Sequence, residues 1–151
     1  MHRSRFIYLA AADAGIIASF LPWENISVLG TVSDSHSGTQ IVEHVLGTVG
    51  VGWISMALFA IAALTCFTGR RALPVGGFAK WTLLLMGLLA TVVGVHTYQD
   101  IGQKSILNPS DSGGLSFESS AAVGVYIAIA AGVALIFLPF LFKAKHSENG
   151  S

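Results

Sequence analysis

Asp13 stands alone in an apolar stretch, with Tyr8-Leu9-Ala10-Ala11-Ala12 before it and Ala14-Gly15-Ile16-Ile17-Ala18 after it. It follows Arg5 by eight residues, so in a helix it lies about 12 Å further along the axis. In a bilayer that depth is close to the midplane, where an acid costs ~2.5–3.5 kcal/mol on insertion scales. Two uses would repay the cost. One is a coupling carboxylate that takes and releases a proton or cation. The other is a neutral, hydrogen-bonded acid that holds helices in register. Either use predicts that Asp13 faces the interior of a bundle, with Ser55, Thr91 or Tyr126 as polar partners at similar depth.

His44 and His96 form a second candidate. His44 opens the second apolar run and His96 ends the third, so both are expected at the outer face, near Glu43, His36 and Asp100. Imidazoles and carboxylates at one level can ligate zinc or another divalent ion. Their spacing matches no metal motif, so interfacial hydrogen bonding is the preferred reading and no cofactor is expected. Cys66 is the single cysteine. It excludes an intrachain disulfide and any chemistry that needs a cysteine pair. Gly47-Thr48-Val49-Gly50-Val51-Gly52 is glycine-rich but has no Lys-Ser/Thr after it, so close helix packing explains it better than phosphate binding. No Ser/His/Asp constellation stands out.

The elements that must carry these residues are four long apolar runs, about 5–23, 45–68, 78–98 and 120–143, each near the ~20 residues that a helix needs to cross a bilayer. Apolar residues make up 53% of the 151-residue chain and charged residues only 11%, a composition suited to lipid. The cations are sorted. Arg3, Arg5, Arg70, Arg71, Lys80, Lys143 and Lys145 fall at one side of the runs and Lys104 at the other. Cytoplasmic loops hold the Lys/Arg excess, which puts both termini and the 70–80 connection inside. The expected fold is one domain, 1–151: an all-α, up-down-up-down four-helix membrane bundle with a short β-prone outer loop. A cleaved signal peptide fits the first run less well than a retained helix, because Asp13 interrupts it and Pro22-Trp23 reads as an interfacial stop.

Small residues recur at four-residue spacing: Ala10, Ala14 and Ala18; Ala90 and Gly94; Gly124, Ala128 and Gly132. In lipid such rows let helix backbones approach closely. They predict internal seams, or on the last helix a homo-oligomer interface. Asn25-Ile26-Ser27 matches a glycosylation sequon, but one set very near the membrane. Nothing basic or aromatic enough for nucleic acid is present.

Phe20-Leu21-Pro22-Trp23 closes the first run, and Gly50-Val51-Gly52-Trp53 lies early in the second after a β-prone loop. This pattern, over about residues 5–70, resembles small bacterial four-helix inner-membrane proteins of unknown function. The resemblance implies an inner-membrane location and no activity. Small multidrug-resistance transporters also carry an acid in the first helix, but this chain lacks their aromatic and glycine pattern. Claudin-like tetraspans share the β-prone first outer loop, but their paired loop cysteines are absent here. The expected function is non-enzymatic: a membrane protein that binds a protein partner as an accessory, assembly or protective factor. The alternative is a small proton- or cation-coupled transporter using Asp13.

Overall fold

The computed structural model describes residues 3–28, 31–41, 50–68, 75, 77–107 and 117–141. In chain order the elements are α1 (Arg3–Phe20), β1 (Pro22–Val28), β2 (Thr31–Ser37), α2 (Val51–Thr65), α3 (Gly77–Leu107), β3 (Phe117–Ala121) and α4 (Val123–Leu141). The helices form a ring in which α1 packs on α2 and α4, and α3 packs on α2 and α4.

The expectation of an all-α membrane bundle is corrected. The loops condense into a three-stranded antiparallel sheet of order β2-β1-β3. Of the helices described, only α3 and α4 are long and apolar enough to cross a membrane. α2 is apolar but has 15 residues, and α1, although 18 residues long, carries charge and is less apolar.

The boundaries moved for local reasons. α1 stops at Phe20 because Pro22, which lacks an N–H, opens a strand. β1 and β2 form a hairpin in which Ile26 faces Asp34 and Val28 faces Thr31. The other edge of β1 pairs with β3, with Glu24 opposite Ala121 and Val28 opposite Phe117. The last apolar run, expected from about residue 120, begins as a strand: Ser119 and Ser120 pair with β1, and α4 starts only at Val123. α3 does not end at Tyr98. Its 31 residues run about 46 Å, well beyond a ~30 Å hydrocarbon layer. Thr97 and Ile101 are buried, and they carry the helix on past Tyr98 to pack against β3.

Two joints hold sheet and helices together. Trp23, expected in the outer headgroup layer, is fully buried. Its indole Nε1 donates to the carbonyl of Ala18 at 2.7 Å, which satisfies one of the orphan acceptors at the end of α1. Its own carbonyl accepts from the N–H of Ala122 at 2.8 Å, at the β3–α4 junction. At the other end of the ring, buried Arg5 donates from Nη1 to the carbonyls of Cys66 and Thr68, both at 2.7 Å. A guanidinium is well suited to the negative end of α2.

Close backbone approach sets the helix seams. The ring of Phe59 on α2 occupies the place a side chain at Gly15 would need. On the opposite side of the ring of helices, a Cβ at Gly132 would stand 2.5 Å from Thr91 Oγ1 and 3.0 Å from the carbonyl oxygen of Gly87. At the start of α2, Gly52 lies against Gly38 and Thr39, and its N–H donates to the Gly38 carbonyl at 2.7 Å. The glycine-rich stretch thus serves close packing where it is described.

Candidate functional site

Asp13 is on the outward face of α1. The exposed positions Phe6, Ala10, Asp13, Ile17 and Phe20 recur every three or four residues and form one stripe. Tyr8, Ala12, Gly15 and Ser19 form the buried one. The expectation of an interior carboxylate is therefore not met, and Phe59 supplies the reason. Its ring needs the gap at Gly15, so that side of α1 turns inward. Asp13, two positions earlier, is carried about 200° around the helix from Gly15 and turns outward.

None of the three expected partners bonds to it. Ser55 is buried on α2, and its hydroxyl has no hydrogen-bond partner among the described residues. Thr91 donates to the carbonyl of Gly87 at 2.8 Å. Tyr126 sets its ring edge-on to Tyr98, with centroids 5.8 Å apart. Among the described residues no hydrogen bond or ion pair reaches Asp13.

Its surroundings can be read from helix geometry. Asp13 precedes Phe20 by seven residues, almost two full turns, so both lie on the same side of α1. Phe20 meets Trp53 of α2 edge-on, with centroids 6.2 Å apart. On α2, Ala57 and Ala60 follow Trp53 at four and seven residues and continue along its side.

The small residues divide between seams and surface. Ala18, Ala90, Gly94, Gly124, Ala128 and Gly132 are buried, Ala14 is half-buried and Ala10 is exposed. Gly132 meets α3, Gly94 meets Ile129 of α4, and Gly124 lies against Trp23 rather than against a helix.

His96 is exposed on α3, and His44 lies outside the described residues. Among the described residues there is no group of three or more His, Cys, Asp or Glu that could hold a metal ion. His36 stands 3.7 Å from Asp34 along β2, where the two pair with Glu24 and Ile26 of β1.

Three residues with structural roles went unread in the sequence. Arg5 was counted only as a topology charge and a depth marker, Trp23 only as an interfacial aromatic, and Glu24 was not singled out. Glu24 is nearly buried in β1 and accepts a 2.5 Å hydrogen bond from Ser119 Oγ of β3. The Pro22-Trp23-Glu24 run does carry a signal, since a proline followed by an aromatic suits a strand opening as well as an interface. No protein-family model matches this chain, and comparison with curated proteins finds no similar sequence.

Proposed function

We propose that this is a membrane protein that acts by binding a partner, with α3 and α4 crossing the bilayer and the sheet at its outer side. The observation that carries the reading is the spacing of two aromatic levels on α3. Phe78 and Trp81 are exposed near one end, at 87% and 68%, and Tyr98 is exposed further along. Trp81 and Tyr98 are about 26 Å apart along the axis, close to the hydrocarbon thickness, and amphipathic aromatics collect at its two borders. Between them Leu85, Leu88, Leu89 and Val92 also point outward. In water such a continuous apolar surface would drive aggregation.

Polar groups show the inverse pattern. Ser4, Arg5, Ser19, Ser55 and Thr97 are buried in the helical ring. Helical hydroxyls turn back on their own backbones, as with Ser19 to the Gly15 carbonyl and Thr97 to the Val93 carbonyl. That arrangement satisfies a hydroxyl where water is absent. Lys80 places its ammonium 5.2 Å from the ring centroid of Phe140 at the end opposite the sheet. The Lys/Arg excess at that end supports an outward sheet. The resemblance at Phe20-Leu21-Pro22-Trp23 supports a bacterial inner membrane.

Binding is favoured over transport by where Asp13 points. A coupling carboxylate must line a path through the ring. The interior holds Phe59, Leu83, Ala128 and Leu135, all fully buried, while Asp13 is outside. Alkaline carbonate extraction and reporter fusions at Ser37, Gly76 and Ser112 test the reading. The protein should stay in the membrane pellet, with the Gly76 reporter on the opposite side from the other two. Recovery in the soluble fraction, or all three reporters on one side, would refute it.

A further inference from the structure

One hydrogen bond fixes the direction of every backbone group in the hairpin. The Ala122 N–H donates to the Trp23 carbonyl, so that carbonyl points toward β3. The peptide between Trp23 and Glu24 is trans, so the Glu24 N–H points the opposite way, toward β2. Directions then alternate: Asn25 bonds toward β3, and Ile26 bonds toward β2. Glu24 and Ile26 pair with His36 and Asp34. Ser35, between those two, therefore turns its N–H and C=O away from β1, and so does Ser37, two residues on. Among the described residues no strand pairs with that far side of β2. The register is regular from Asp34 to His36. β2 holds no proline or lysine to blunt its rim, and a straight unpaired rim recruits further strands.

Both outward donors are already taken by the chain itself. Asp34 Oδ1 accepts from the Ser35 N–H at 2.8 Å, and its other carboxylate oxygen lies 3.7 Å from His36 Nε2. Gln40 Oε1 accepts from the Ser37 N–H at 2.9 Å and from the Ser37 hydroxyl at 3.2 Å. The Ser37 carbonyl accepts from the N–H groups of Gln40 and Ile41, at 3.0 and 3.3 Å. Of the outward groups of Ser35 and Ser37, only the Ser35 carbonyl is left for another chain. Asp34 and Gln40 are themselves exposed, so packing does not hold them there. We propose that Asp34 and Gln40 keep the β2 edge closed to a second copy of this chain. Without them the edge is self-complementary. A twofold axis perpendicular to the sheet sets Ser35 against Ser35, each N–H facing the other's carbonyl. The same face of both sheets then turns the same way, so neither copy needs to reorient. The inference does not depend on where the helices lie.

The test follows self-association of the full chain in mild detergent by light scattering over a wide range of concentration. A spin label at Ser35→Cys, in a Cys66→Ala background, reports whether two β2 edges meet. The otherwise native chain should show no dipolar broadening at this label. Asp34→Ala combined with Gln40→Ala should self-associate at least about tenfold more tightly, with broadening at position 35. Asp34→Asn removes the charge but keeps an acceptor, so it should behave as the native chain does. An Asp34→Asn protein that associates as strongly as Asp34→Ala would show that charge closes the edge, and would overturn the inference. A double variant that stays dissociated would overturn it too, as would a native chain already paired at position 35. If the double variant does not fold, amide exchange in the native chain decides. The Ser35 and Ser37 N–H groups should exchange more slowly than free serine amides, and exchange at the free rate would refute the closure.

Discussion

Trp23 joins three elements through one side chain. Its indole caps α1 at Ala18, its carbonyl receives Ala122, and Gly38 and Gly124 lie against its ring. Trp23→Ala would open a cavity and orphan the Ala18 carbonyl, so it should cost about 3–5 kcal/mol. Trp23→Phe keeps most of the volume and loses the donor, so about 1–2 kcal/mol is expected. Unfolding in mixed micelles by denaturing detergent measures both, and equal losses would show that the hydrogen bond contributes nothing. Arg5 makes a parallel case at the other end. Arg5→Met keeps the length but leaves the Cys66 and Thr68 carbonyls without their donor. The end of α2 should then fray, seen as faster amide exchange over Leu64–Thr68, while Arg5→Lys should protect it in part.

At the scale of elements, the α3–α4 seam depends on backbone contact between Gly87 and Gly132. Gly132→Leu should push the two helices apart and lower stability by about 1–3 kcal/mol, read as a fall in melting temperature in detergent. An unchanged melting temperature would mean that the seam is not formed in solution. The presence of helices was legible in the sequence from apolar runs of bilayer length. The facing of α1 was not. Ala10, Ala11, Ala12, Ala14 and Gly15 surround Asp13 with small residues on every side. No local period marks the inner face, and it is chosen by Phe59, which lies far along the chain. β3 was hidden for a similar reason. Ser119-Ser120 suits a helix cap and a strand equally, and the pairing that decides between them is with residues 24–28, far back along the chain. The overrun of α3 was missed because apolar length marks where lipid ends, not where hydrogen-bonded turns must end.

Across the whole molecule the three tryptophans make the lipid boundary measurable. Trp23 is buried, whereas Trp53 and Trp81 are 49% and 68% exposed. In bilayers of brominated lipid, a variant retaining only Trp53 or only Trp81 should be strongly quenched. A variant retaining only Trp23 should fluoresce as it does in ordinary lipid. Quenching of Trp23, or none of Trp81, would contradict the placement of α3 in the bilayer. For Trp81 the bromines should be most effective near the headgroups, because its place on α3 is at a border of the apolar band.

The central strand of the sheet also constrains synthesis. β1 is made from residues 22–28, and its second neighbour from residues 117–121. While the ribosome is still making the intervening helices, one rim of β1 has its ladder groups unpaired. An open rim of this kind is a template for mispairing, and it closes only once β3 emerges. Chains arrested before Phe117 should therefore expose the 22–37 hairpin to protease, and chains arrested beyond Leu141 should resist. Equal cleavage of both would mean that the hairpin is protected without its late partner. The last quarter of the chain thus governs when the first loop becomes safe.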